Sequence, residues 1–236
     1  MKSTWMILWK DLRLEWRTKE ALSAMMVFGF LVIVLFNFSF NPGAEEIRSS
    51  GAGLLWIAFT FAGTLGMNRS FAAERENGCL QSLLMAPIDR SSLFLGKWAA
   101  NFLFMTAAEC FVLPAFLFMF NVPIRDQLGT LIGVSLLGTL GFTCLGTLLA
   151  GVSMNTRMRE VLLPVLLFPI SIPLLLWAVE TTSAAIQNAY LDPLMMHGQA
   201  ADVARATDGG ALKFLVAFDM IFGAVCTIVF PFVVED

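Results

Sequence analysis

The chain has 236 residues, of which 58% are hydrophobic and only 14% are charged, against about 25% charged in an ordinary soluble domain. That composition excludes such a domain. A formal net charge of −3 with no basic face offers nothing for nucleic acid to bind.

Residues 1–20 interleave apolar and charged positions and lack the small-residue cleavage pattern of a signal peptide. At 100° per residue, Trp5, Leu8, Trp9, Leu12 and Trp16 share a stripe about 100° wide. Lys10, Arg13 and Arg17 face away, and Met6, Ile7 and Leu14 lie off the stripe. Tryptophans beside basic residues predict a helix lying in the membrane interface. A helix packed on a neighbouring subunit is the alternative.

Six apolar runs follow, at residues 21–44, 49–68, 98–124, 127–156, 161–179 and 214–234. Each is long enough to cross a bilayer, which needs roughly 20 residues of helix. With six spans both termini share one side. That side holds Lys2, Lys10, Arg13, Arg17, Lys19, Arg69, Arg75, Arg90, Lys97, Arg157 and Arg159, 11 of the 15 basic residues. The opposite side holds Arg48, Arg125, Arg205 and Lys213. The positive-inside rule makes the terminal side cytoplasmic.

Ala62 and Gly66 in the second span are four apart, a spacing that lets helices approach closely. Residues 69–90 form the longest charged cytoplasmic segment. Residues 69–77 continue the preceding span as helix, and Asn77-Gly78 is a stop signal. A second short helix over 79–85 would carry Leu80, Leu83 and Leu84 at one end. Pro87 stops it, and Asp89 or Ser91 can cap the next helix. Two short helices with an apolar tip suit a docking knob; an ordinary solvated loop is the alternative.

The third span contains Glu109 and the sixth contains Asp219. An intramembrane carboxylate is costly unless protonated, paired or facing water, so both are functional candidates. A protonated Glu109 bonded to a neighbouring helix is the plainer reading. The fourth span holds Gly129, Gly133, Gly138, Gly141, Gly146 and Gly151, with Gly129 and Gly133 in GxxxG spacing. Pro164, Pro169 and Pro173 in the fifth span predict a kinked or broken helix that moves or lines a pathway. Residues 180–210 form the longest outer segment, expected as short amphipathic surface helices. The segment carries the only tyrosine, Tyr190, and the only histidine, His197, beside Met195 and Met196.

Catalytic motifs are lacking. No GxxxxGK[ST] loop is present: Gly96-Lys97 is followed by Trp98, and Ser91 stands where the first glycine belongs. One histidine excludes HExxH and His-rich metal sites, so neither catalytic nor metal-ligating residues are assigned. Cys79, Cys110, Cys144 and Cys226 have no paired spacing and read as small hydrophobes. The sum is an all-α integral membrane domain over residues 1–236. It has six transmembrane helices, an interfacial N-terminal helix and a cytoplasmic coupling helix, like an ABC-2-type permease. Such a domain suits the permease half of a transporter powered by a separate ATPase.

The pattern Arg69, Phe71, Glu76, Gly78, Leu80, Leu83 and Pro87 resembles the haem exporter protein B family, the CcmB permeases of cytochrome c maturation. The stretch Arg157-Met-Arg-Glu-Val-Leu-Leu-Pro-Val-Leu-Leu-Phe-Pro169 is similar to that family's approach to its fifth helix. The resemblance implies a bacterial inner-membrane permease with ATP bound by a paired cytoplasmic ATPase. That ATPase would dock on Arg75, Glu76, Gly78, Leu80, Leu83, Leu84 and Pro87. It also implies a haem-handling membrane subunit, a small single-span subunit and, indirectly, a periplasmic haem chaperone. Haem is then cargo rather than a resident cofactor. No span contains His or Tyr as an axial ligand, which leaves His197 as the outer-side candidate for a haem contact. The alternatives are a generic exporter permease for a lipid or drug, and a non-transporting mechanical relay.

Overall fold

A computed structural model of the chain describes residues 2–39, 45–76, 89–123, 127–153, 156, 158–190 and 199–233. These are all-helical. The helices are α1 (Lys2–Thr18), α2 (Glu20–Ser39), α3 (Glu45–Glu76), α4 (Arg90–Met119), α5 (Leu128–Ser153), α6 (Arg159–Tyr190) and α7 (Gln199–Val233). The expectation of six spans holds: α2 to α7 each contain a stretch long and apolar enough to cross a membrane. Their outward faces carry Val27, Leu31 and Leu35 on α2, Ile57, Phe61 and Leu65 on α3, and Met220, Ile221 and Ile228 on α7. So much exposed hydrocarbon is stable only against lipid.

Helix α5 is the hub. It packs against α3, α4, α6 and α7. The sequence explains why it can: its side chains are small on several faces at once. Gly138 receives the Trp56 indole of α3, and Gly141 receives Leu174 of α6 and the Asp219 carboxylate of α7. A β-carbon at either position would collide with these groups. Trp56 is held in place by its indole N–H, which donates to Thr182 Oγ1 at 3.0 Å. Gly66 of α3 admits Met25 of α2 in the same way, as the Ala62–Gly66 spacing suggests. Gly129 and Gly133 behave differently. Among the described residues nothing lies within 4 Å of a β-carbon built at either, so this GxxxG pair joins no described helices.

Helix α6 runs unbroken through Pro164, Pro169 and Pro173, so of the expected kink or break, the break does not occur. Pro169 and Pro173 are exposed on its outer surface and Pro164 is half-buried. On a lipid-facing surface, carbonyls freed by proline have to be satisfied by nearby hydroxyls, water or a local adjustment of the helix. The outer segment also differs from expectation. Residues 180–190 extend α6 and residues 199–210 open α7, instead of forming separate surface helices. Thr181 and Thr182 donate back to the carbonyls of Trp177 and Ala178 at 2.7 Å each. Ala185 and Ile186 are buried, so the packed face simply continues. His197, Met195 and Met196 lie outside the described residues.

The α1–α2 elbow turns at Lys19, whose φ of 54° is left-handed. Glu15 Oε1 caps α2 by accepting from the Leu22 N–H at 2.7 Å.

Gly138→Ala should push a methyl into Trp56 and cost about 1–3 kcal/mol, read as a lower unfolding midpoint in detergent. Gly133→Ala, with open space around it, should leave the midpoint unchanged or raise it. Equal losses at the two positions would show that the α3–α5 approach does not set this packing.

Candidate functional site

The two intramembrane carboxylates lie against the hub helix from different sides. Glu109, on α4, is 5% exposed, and its Oε1 accepts from the Thr139 hydroxyl of α5. Asp219, on α7, is 7% exposed and lies over Gly141. Among the described residues neither Asp219 oxygen has a hydrogen-bond partner. Both carboxylates therefore turn inward, away from lipid. The plainer expectation for Glu109, a bond to a neighbouring helix, matches its geometry.

A hydroxyl ladder extends from Glu109. Ser135, Thr139, Thr143 and Thr147 recur every four residues on α5 and all are buried. Thr143 donates to the Thr139 carbonyl at 2.7 Å and Thr147 to the Thr143 carbonyl at 2.6 Å. Thr147 Oγ1 in turn accepts from Asn101 Nδ2 of α4 at 3.0 Å. Glu109 and Asn101 thus close both ends of one polar seam between α4 and α5. The period-four hydroxyls were visible in the sequence. Their burial was not, because a threonine that bonds its own helix can face lipid or protein equally well.

A second cluster lies where α4 begins. Asp89 caps this helix, accepting from the Ser91 N–H at 3.4 Å. Arg90 donates to the Pro231 carbonyl of α7 at 3.2 Å. Lys97 is almost wholly buried, and its ammonium lies 2.9 Å from Asp11 of α1. Lys10 approaches the other oxygen of Asp11 at 3.2 Å. Ile7 fills the space left by Gly96, where a β-carbon would come within 2.9 Å of it. The inward face of α1 is therefore Ile7 and Asp11, while Trp5, Trp9 and Trp16 point outward. The stripe expected from the sequence is split, with Trp5, Trp9 and Trp16 exposed while Leu8 and Leu12 pack against the core, and it missed the Asp11–Lys97 pair. Its one signal was a lone aspartate among basic residues, four positions after Ile7.

Arg75 and Glu76 fall in the last turn of α3, which continues the second span as the sequence suggests. Gly78, Leu80, Leu83, Leu84 and Pro87 lie outside the described residues. Cys144 and Cys226 are buried, whereas Cys110 faces outward, an inexpensive place for a thiol beside hydrocarbon. Among the described residues no group of His, Cys, Asp and Glu is arranged to hold a metal ion.

Lys97→Met removes the buried partner of Asp11, leaving the half-exposed Lys10 at its other oxygen, and should destabilise the protein by up to about 3 kcal/mol. The double change Asp11→Leu with Lys97→Met should recover most of that loss. Thermal unfolding in detergent measures both, and a double variant no better than the single one would show that the pair is not coupled. Asp219→Asn removes an unpartnered buried carboxylate without changing its shape. It should hold or raise the unfolding midpoint, and a clear drop would mean that Asp219 is paired in the membrane.

Comparison with known proteins places the chain. The family described as CcmB protein matches residues 2–207. Heme exporter protein B of Pseudomonas aeruginosa is 28% identical over 183 residues, covering 78% of this chain and 82% of that protein. The protein of the same name from Rhodobacter capsulatus is 27% identical over 191 residues, covering 80% and 87%. That from Escherichia coli is 25% identical over 190 residues, covering 80% and 85%. With six candidate spans and a family match over most of its length, this chain is a multi-pass membrane protein that belongs to the CcmB family.

Proposed function

We propose that this chain is a haem-export permease subunit that couples ATP hydrolysis in a separate ATPase to haem delivery for c-type cytochromes. Membership of the CcmB family, whose relatives are named heme exporter protein B, carries the reading. The ATPase pair would bind the cytoplasmic segment at Arg75, Glu76, Gly78, Leu80, Leu83, Leu84 and Pro87. A haem-handling membrane subunit and a small single-span subunit complete the assembly in the bacterial inner membrane, with both termini in the cytoplasm. A periplasmic haem chaperone then receives the cargo.

The fold supports a mechanical route for this coupling. In the sequence, residues 77–88 connect α3 to α4. Movement of the segment reaches α4 at its capped start, where Arg90 is bonded to α7 and Lys97 to α1. From α4 the seam through Glu109 and Thr139 leads into the hub helix. Helix α6, with Pro164, Pro169 and Pro173, packs on the same hub. Its prolines then act as a hinge on the outer surface of the bundle.

One observation favours a relay over a conduit within this role. At the level of the carboxylates the bundle is filled by Thr139, Phe142, Thr143 and Leu174, all at 0% exposure. Haem would then pass at the boundary with a partner subunit, with His197 as this chain's candidate contact.

Leu83→Asp with Leu84→Asp should abolish ATPase coupling while the protein remains in the membrane. Haem staining of denatured membrane proteins reads the outcome in cells. Deletion of the gene should remove covalent c-type haem and spare b-type haem, and the double Asp variant should behave like the deletion. Normal c-type haem in the deletion strain would refute the cargo assignment. Normal c-type haem in the variant alone would refute only the docking residues.

A further inference from the structure

We infer that the outward face of α1 is a recognition surface for acidic phospholipid headgroups. The inference concerns the lipid around the protein and stands whatever the cargo is.

The argument begins with where the carboxylates go. The first 20 residues contain three, Asp11, Glu15 and Glu20, and each is engaged within the fold. Asp11 is buried against Lys97 at 2.9 Å, with Lys10 at 3.2 Å. Glu15 caps the start of α2. Glu20 meets Arg69 of α3 at 3.2 Å. The charge left facing outward is positive, with Arg13, Arg17 and Lys19 all exposed.

The aromatic residues share that outward side. Trp5, Trp9 and Trp16 are 64%, 54% and 83% exposed. On a helix of 3.6 residues per turn they form a ridge about 40° wide, and Lys10, Arg13 and Arg17 form a second ridge beside it, centred about 90° away. Arg13 lies 6.0 Å from the Trp9 ring, so the two ridges touch. Indole rings settle at the boundary between headgroup and acyl chain, and basic side chains reach to the phosphates above. Because α1 is pinned to α4 by Ile7, Gly96 and the Asp11–Lys97 pair, its roll angle is fixed. The protein core, and not the lipid, decides which side faces out. An acidic headgroup complements this face; a zwitterionic one supplies the phosphate but cancels it with a cation.

The test uses the full-length protein in phosphatidylcholine vesicles, with spin-labelled phosphatidylglycerol and spin-labelled phosphatidylcholine as probes. Electron paramagnetic resonance then gives the fraction of each probe held at the protein surface. The wild-type protein should hold phosphatidylglycerol in preference to phosphatidylcholine. Arg13→Gln with Arg17→Gln should cut that preference at least about twofold, since each basic group near an acidic surface contributes up to about fivefold. Arg13→Lys with Arg17→Lys should retain it. In the wild type it should fade between low salt and about 1 M salt, where screening acts within about 3 Å. No preference in the wild type, or a preference that survives both the Gln changes and salt, overturns the inference. Intact lipid preference in the Gln variant, together with loss of a co-purifying protein subunit, would also overturn it by assigning the face to a protein.

Discussion

The whole bundle depends on how closely other helices can approach α5. In lipid, the apolar surfaces of two helices gain little by leaving one solvent for another, so close packing and buried polar contacts have to hold the spans together. Helix α5 provides both. Its glycines let Trp56, Leu174 and Asp219 come within reach of its backbone, and its hydroxyls meet Glu109 and Asn101 along the α4 seam. A larger residue at Gly138 or Gly141 would push α3 or α7 away and open the interior.

That close approach also explains how the carboxylates are tolerated. Glu109 has a hydroxyl donor, so its burial is compensated. Asp219 has no such donor among the described residues, and its seat on Gly141 is a tight one. Two acids of similar burial, on different faces of one helix, thus differ in satisfaction. The unsatisfied one marks the α5–α7 contact as the place where polar groups could rearrange, because little in the described fold holds that carboxylate as it is.

The helix ends around α1 and the start of α4 are tied by charge, in contrast to the apolar middle. Glu20–Arg69 joins α2 to α3, Asp11–Lys97 joins α1 to α4, and Arg90 joins α4 to α7. These ties converge around the two helices that flank the 77–88 segment. A subunit acting on that segment would meet a connected frame of helix ends, which is the physical content of the proposed relay. The exposed Glu20–Arg69 pair contributes little stability by itself, whereas the buried Asp11–Lys97 pair fixes the position of α1.

The sequence by itself determined the number of spans, the helical class and the presence of intramembrane acids. Hydrocarbon thickness and backbone hydrogen bonding force a long uncharged run to be a spanning helix, and no neighbour is needed to decide it. It could not determine which small residues pack. Gly129–Gly133 carries the familiar spacing and packs on nothing among the described residues, while Gly138 and Gly141 carry no such spacing and seat three helices. Nor could it pair Asp11 with Lys97 or Glu109 with Thr139, partners that lie 86 and 30 positions apart. It placed helix ends at Pro and at polar stretches, yet α6 runs through three prolines and beyond the expected boundary at residue 180. Each of these was settled by tertiary structure for one reason. Glycine, proline and a polar side chain in a membrane helix each permit several arrangements, and only the neighbouring helix selects one.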